Sequence, residues 1–254
     1  MPRSPRTRPE GLPEPGAAAG DGTTGSLFVV ATPLGNLEDL SSRALRVLRE
    51  VPVIACEDTR TAGMLLHHLG ISREGRRLVP YHDANESRQV AGLMRILMEG
   101  SDVALISEAG TPLVSDPGYR IVSSARAAGI RVVPIPGPCA AIAALSVSGL
   151  PTDRFCFLGF VPARPGRRRA MIQALTADLG TCICYVPARS VGKVLEDFRD
   201  LHPDWNLVIA REMTKMFEEF LAGTAGDLLG RWGESRARGE VTLLAAPPSR
   251  RAGA

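Results

Sequence analysis

Aromatic residues are scarce in this chain. Three tyrosines, seven phenylalanines and two tryptophans, 5% of 254 residues, leave few π faces. That argues against extended binding of single-stranded nucleic acid by base stacking. Histidine is scarcer still: His67, His68, His82 and His202 are the full set, and none stands at metal-ligand spacing with a cysteine. His67 and His68 close a predicted helix, where imidazolium complements the dipole, so they read as a C-terminal cap. The five cysteines (Cys56, Cys139, Cys156, Cys182 and Cys184) form no CxxC pair and are odd in number. All but Cys139 sit inside apolar runs, where free cysteine acts as a small hydrophobe, and the set fits a reducing, cytoplasmic setting. No apolar run reaches the roughly 18–20 residues of a membrane span, and no signal-peptide pattern opens the chain. GxGxxG after a strand, GxxxxGK[ST], HExxH and GxSxG are all missing, which removes the commonest dinucleotide, P-loop, zinc-protease and serine-hydrolase readings.

What is present is an ordinary globular composition, 44% hydrophobic and 22% charged, with a net charge of +3. Residues 1–25 carry three arginines against three acids, and residues 26–150 carry twelve charges of each sign. The excess therefore lies in residues 151–254, with fifteen basic against twelve acidic side chains, a weak pointer to an anionic partner for that half. Residues 1–25, rich in Pro, Gly, Ala and Arg, are expected to be disordered. Glu10, Glu14 and the prolines argue against an amphipathic targeting helix there.

From Ser26 strands and helices alternate. Strands are predicted at Leu27–Ala31, Val53–Cys56, Leu78–Tyr81, Val103–Ser107 and Arg131–Ile135, each short and apolar and closed by turn residues. Helical spacing recurs after Asp39, over Thr61–Leu69, Glu86–Met98 and Tyr119–Ala128. Alternation of this kind predicts a mostly parallel sheet covered on both faces. Pro136-Gly137-Pro138 closes the unit, and an Ala-rich helix runs on to Ser148. A second rhythm follows: strand Arg154–Phe160, helix Arg168–Leu175, strand Thr181–Tyr185, helix Val191–Leu201, then strands Leu207–Arg211, Glu218–Ala222 and Val241–Ala245 around a short helix near Leu228. The stretch Ser235–Gly239 is expected to be mobile. The domain reading is a tail over 1–25, an N-terminal α/β domain over 26–137, a C-terminal α/β domain over 138–248 and a flexible end over 249–254.

The loops that follow the strands carry the chemistry. Thr32-Pro33-Leu34-Gly35-Asn36-Leu37 follows the first strand and Glu57-Asp58-Thr59-Arg60 the second. Glu108-Ala109-Gly110-Thr111-Pro112 runs on to Ser115-Asp116-Pro117-Gly118 after the fourth, and Pro136-Gly137-Pro138-Cys139-Ala140 follows the fifth. Gly and Pro stiffen such loops and let backbone amides approach a ligand, while the acids suit ribose hydroxyls or an amino group. Each loop alone reads equally well as capping, with Asp58, Ser115 and Asp116 as N-caps. Four of them at one sheet edge favour a small-molecule pocket. Gly110 is placed where backbone must meet the ligand, so a branched residue there is expected to abolish ligand binding and leave the fold intact. Arg164, Arg167, Arg168 and Arg169 cluster in the half with the charge excess, at the start of a helix where cations oppose the dipole. They read either as solvated surface or as a phosphate clamp for RNA.

The segments LFVVATPLGNLEDLSSRAL, ACEDTRTAGMLL, LISEAGTPLVSDPGYRIV, VVPIPGPCAAIAALSVSGLPTDRFCFLGF and AREMTKMFEEF resemble the ribosomal RNA small subunit methyltransferase I family, over about residues 26–246. The resemblance implies the tetrapyrrole methylase fold, two α/β domains with the cofactor cleft between them. It further implies S-adenosyl-L-methionine as methyl donor, the 2'-oxygen of a decoding-centre cytidine in 16S rRNA as acceptor, the small ribosomal subunit as partner, and a homodimer. Two alternatives stay open: a methyltransferase of this fold acting on a tetrapyrrole or other small molecule, and an inactive RNA-binding assembly factor. The first usually begins with a GxGPGD-like loop, whereas this chain has ATPLGNL.

Position by position, the resemblance puts the cofactor against Pro33, Leu34, Gly35, Glu108, Ala109, Gly110, Thr111 and Asp116, with Ala140, Tyr185 and Ala210 on the far side. Glu57, Asp58 and Arg60 fall where the acceptor approaches. Removing the hydroxyl proton calls for a base, and Glu57 or Asp58 is the candidate, with Lys215 as the rival. The alternative is that both acids only orient Arg60 and cap a helix. Two positions depart from the family pattern: Glu108 replaces an aspartate, and Val186-Pro187 replaces a glutamate and a serine on what is expected to be the substrate-facing side.

Overall fold

The computed structural model describes residues 24–233, 236 and 239–248. Along β1 (Leu27–Val30), β2 (Val53–Cys56) and β4 (Val103–Ile106) alternate side chains enter opposite apolar layers. Leu27, Val53, Ala55, Val103 and Leu105 meet α3 (Glu86–Met98) and α4 (Tyr119–Ala127) on one face. Val30, Ile54, Cys56, Ala104 and Ile106 meet α1 (Ser42–Glu50) and α2 (Thr59–His68) on the other. Strands buried on both faces pair in parallel, and with β3 (Arg77–Pro80) and β5 (Val132–Ile135) they form a sheet of order β3-β2-β4-β1-β5, parallel throughout.

The second half is a mixed sheet of order β6-β7-β10-β8-β9. Its strands are β6 (Phe155–Phe160), β7 (Thr181–Pro187), β8 (Asn206–Arg211), β9 (Glu219–Gly223) and β10 (Glu240–Ala246). Only β6 and β7 are parallel, and the last strand inserts between β7 and β8, antiparallel to both. Helix α5 (Ala140–Val147) lays Ala141, Ala144 and Leu145 on Ile183, Val208, Ala210 and Leu244. The opposite face carries α6 (Pro165–Gln173), α7 (Val191–Leu201) and α8 (Ala225–Arg231) on Cys182, Cys184 and Val186.

Where the boundaries differ from expectation, a local cause is visible. Helix α2 starts at Thr59, not Thr61, because the Asp58 carboxylate accepts from the Arg60 amide at 2.7 Å and caps it. Helix α6 starts at Pro165, whose fixed φ suits the first helical turn. Strand β7 runs on to Pro187 because β10 pairs along its whole length, Glu240 against Pro187. Gly25, expected in the tail, is instead buried, donates to the Leu97 carbonyl at 2.7 Å, and belongs to the folded part. The rest of the expected tail, bar Thr24, lies outside the described residues. So do residues 249–254 and, of the expected mobile stretch, Ser235, Ala237 and Arg238.

Candidate active site

The site begins with the strand order. β1 and β4 are neighbours, yet the chain leaves β1 for helices on one face of the sheet and β4 for a helix on the other. Their loops therefore part above the sheet, and a crevice opens at the carboxyl ends of the strands, where α/β folds bind ligands. The base of the crevice is pinned by a two-way backbone pair, Thr32 N–H to Gly110 at 2.8 Å and Gly110 N–H to Thr32 at 3.0 Å. Helix α4, which follows the Asp116 loop, has no capping side chain of its own. Glu86 of α3 supplies one across the gap: it accepts from the Gly118 and Arg120 amides at 3.2 Å and from the Tyr81 hydroxyl at 2.8 Å.

Two cavities adjoin there. The larger, about 520 Å³, lies between the two sheets, and among its lining residues are Leu34, Glu108, Ala109, Gly110, Thr111, Asp116, Ala140, Tyr185 and Ala210. The smaller, about 310 Å³, is mainly apolar and is lined by Pro33, Gly35, Leu37, Cys56, Asp58, Thr61, Met64, Leu65 and His68 among others. Leu34, Glu57, Glu108 and Ala109 border both. The structure thus gathers nine of the eleven residues assigned to the cofactor around one cavity and sets Pro33 and Gly35 in the next.

Five carboxylates line the larger cavity among the described residues: Glu57, Glu108, Asp116, Glu212 and Glu240. Their crowding shows in the titration of the less exposed ones. Burial, then the charges of Asp116, Glu108 and Asp83, pushes Glu57 up to about 7, although the Glu108 backbone pulls the other way. Burial likewise raises Asp116 to about 6, with Glu240 and Glu108 adding to it and a Ser107 hydrogen bond opposing. Asp58 behaves in the opposite way. Its hydrogen bond with the Arg60 side chain, 2.7 Å from Nη2, and its capping bond hold it down to about 2. The two acids, paired in sequence, are therefore different objects: Glu57 is poised to take a proton near neutral pH, and Asp58 is a cap and an anchor for Arg60. Lys215 borders the larger cavity, its Nζ 3.3 Å from Glu212.

The arginine cluster divides. Arg164 and Arg167 are exposed, but Arg168 is buried at 7%, with Nε 2.5 Å from Asp197. Arg169 joins the same acid at 2.9 Å and reaches Asp200 at 3.3 Å. Arg168 is thus no free phosphate ligand, and Arg169 is already engaged. The departure at Val186 also changes character: this residue is fully buried among the α6–α8 contacts, on the face away from the cavity. Sequence reasoning missed Glu212, Glu240 and Phe160 as lining residues. Glu212 stands in the AREMTK segment, where the lysine alone draws notice. The cysteines are all free, and burial raises Cys56 and Cys184 to about 12, which keeps both thiols neutral.

Gly110 requires a correction. Its φ of +87° lies in the left-handed region, and an added Cβ would stand 3.2 Å from Leu34. The glycine serves the backbone before it serves any ligand. Gly110→Ala is expected to cost about 1–2 kcal/mol and lower the melting temperature by roughly 2–8 °C. An unchanged thermal scan would refute that reading.

Known proteins match this arrangement. The model of the Tetrapyrrole (Corrin/Porphyrin) Methylases matches residues 26–229. The solved methyltransferase CobJ superposes with a TM-score of 0.67 at 20% identity, covering 91% of this chain and 98% of its own. Fold and crevice together define a methyltransferase of the tetrapyrrole methylase class, whose cofactor is S-adenosyl-L-methionine. Ribosomal RNA small subunit methyltransferase I of Escherichia coli O157:H7 is 47% identical over 227 residues, 88% of this chain and 78% of that one. Its counterpart from Pseudomonas aeruginosa is 47% identical over 228 residues, with 88% and 79% covered. The chain belongs to the ribosomal RNA small subunit methyltransferase I family. The larger cavity has a lining that fits such a cofactor: Glu108 and Asp116 would suit its cationic groups, and Leu34, Ala140, Ala210, Phe160 and Tyr185 would offer apolar surface to an adenosyl group.

Proposed function

We propose that this chain methylates the 2'-oxygen of a cytidine ribose in 16S rRNA, of the decoding-centre 1402 type. The observation that carries the reading is Glu57, a carboxylate raised to about 7 on the border shared by an acidic cavity and an apolar one. S-adenosyl-L-methionine, when bound, supplies an electrophilic methyl group on a sulfonium. The chain must then bring a hydroxyl in line and remove its proton. Glu57 takes that proton while Asp58 holds Arg60, 88% exposed, at the rim beside it. The apolar cavity, walled by Leu37, Met64 and Leu65, receives the extruded nucleoside, since a base must leave its stack before its ribose can enter such a site.

In this reading the small ribosomal subunit is the partner, two copies of the chain act as a homodimer, and the site of action is the cytoplasm. Among the described residues no helix is long and apolar enough to cross a membrane. Support for the acceptor comes from the family and from the ATPLGNL loop at the crevice.

The test is direct. Small subunits from a strain lacking the activity are incubated with the chain and labelled S-adenosyl-L-methionine, and the nucleosides are resolved by mass spectrometry. One 2'-O-methylcytidine per subunit is the expected product. Unlabelled subunits with transfer to a tetrapyrrole in a parallel incubation, or cofactor binding with no transfer to either, would replace this reading by one of the two alternatives.

A further inference from the structure

Lys215 reaches the site by an unusual route. The Glu212–Lys215 loop has φ of +50° at Glu212 and +66° at Thr214, a region that side chains of these types seldom adopt. Hydrogen bonds hold it there: Lys215 N–H to the Glu212 carbonyl at 3.1 Å, Glu218 N–H to the Lys215 carbonyl at 3.1 Å, and Thr214 N–H to the Glu218 carboxylate at 2.7 Å. Strain kept in place by its surroundings marks a functional element. From this loop the Lys215 stem crosses to the first half of the molecule and lies on Gly35, where an added Cβ would fall 2.4 Å from Cγ and 2.8 Å from Cε. Glu212, 3.3 Å from its ammonium, fits a second gap, since a Cβ on Gly239 would fall 2.5 Å from Oε1. Two glycines from opposite halves thus leave a slot, and the ion pair fills it.

The setting identifies the ligand. Lys215 is the one cation among the described residues that line the larger cavity, where five carboxylates would repel an approaching polyanion. Its stem rests on a residue of the smaller cavity, so the ammonium stands at the seam between cofactor and acceptor. We propose that Lys215 binds a backbone phosphate of the acceptor strand, that Glu212 is its positioning residue, and that Gly35 and Gly239 are the gaps that admit the pair. An ammonium has three donors, enough to keep Glu212 while it takes a phosphate oxygen. The assignment rests on the RNA reading above, and it moves Lys215 from rival base to substrate-binding residue.

Three variants test it: Lys215→Gln, Glu212→Gln and Gly35→Ala. In the last, the added Cβ meets the Lys215 stem from Cγ to Cε, so the stem must shift and carry the ammonium out of place. Lys215→Gln removes a charge-assisted hydrogen bond and should raise the KM for small subunits about tenfold or more, with Glu212→Gln and Gly35→Ala moving it the same way. The slope of log subunit affinity against log salt should flatten by roughly 0.7–0.9 in Lys215→Gln, as for one phosphate. Cofactor affinity by calorimetry should hold in Lys215→Gln, and the melting temperature should hold in Lys215→Gln and Glu212→Gln. A loss of cofactor affinity as large as the rise in KM, with the salt slope unmoved, would give the ammonium to the cofactor's carboxylate and overturn the proposal. A fall in melting temperature that accounts for the losses would make the pair a structural clasp and overturn it too. No transfer to subunits by the unaltered chain would overturn the acceptor reading itself, whereas normal transfer with unmoved KM and slope in the variants would overturn this assignment alone.

Discussion

Glu57→Gln is expected to lower turnover by roughly 10²–10⁴-fold, the scale of general-base catalysis, while cofactor affinity stays near that of the unaltered chain. The amide keeps the size of the carboxylate and removes only its basicity. The pH dependence carries the sign. A base works deprotonated, and burial has raised Glu57 to about 7, so kcat/KM should climb with pH and level off above that value. Stability should run the other way. A carboxyl raised in the folded state contributes stability that is fully present below its unfolded pKa and is lost as pH rises through about 7. Glu57→Gln should therefore melt higher than the unaltered chain at about pH 8 and lose that advantage at about pH 4.5. Asp58→Asn is the internal control. Its carboxylate is already held low by Arg60 and the helix cap, so the change should loosen α2 and Arg60 and leave the pH profile in place. Full turnover by Glu57→Gln, or a profile that moves with Asp58 instead, would reassign the base.

Why sequence alone does not separate Glu57 from Asp58 is plain from what surrounds them. The cap on Asp58 is local, two residues away, and is legible as an alternative. The burial of Glu57 and its proximity to Asp116 and Glu108 are products of the β3-β2-β4-β1-β5 order, which brings three loops to one edge. Helices α3 and α7 are legible to the residue because their apolar stripes close where they stop. The end of β7 is not, since Pro187 belongs to the strand only through Glu240 at the far end of the chain. Likewise Glu212 gains its place from Gly239 and Lys215 from Gly35, which no local pattern connects to them. The arginine cluster is a different lesson, because its signal is present in the sequence. Arg168 stands four residues before Ile172 and seven before Leu175, on the stripe that a helix turns to the core. A basic run looks like one surface, whereas helical spacing sends its middle member inward.

That inward arginine gives the largest stability effect expected here. Arg168 and Asp197 have side chains exposed by only 8% and 7%, and their pair joins α6 to α7 beside the apolar layer. Asp197 also holds Arg169. Removing the acid leaves a buried guanidinium with no counter-charge, and breaking such a pair costs about 3–5 kcal/mol. Asp197→Ala should therefore lower the melting temperature by roughly 6–20 °C, at about 2–4 °C per kcal/mol for a chain of this size. The penalty comes from the orphaned charge, not from the absence of an attraction. Adding Arg168→Met to Asp197→Ala should then recover most of the loss, because an apolar side chain of similar length suits the same surroundings. Arg167→Ala, at an exposed position on the same helix, should leave the melting temperature within about 1–2 °C. This pattern separates a buried structural pair from a phosphate clamp: a clamp would show its deficit in subunit binding and its salt dependence, with the fold untouched. If Asp197→Ala melted with the unaltered chain and bound subunits with a flatter salt slope, Arg168 would return to the RNA surface.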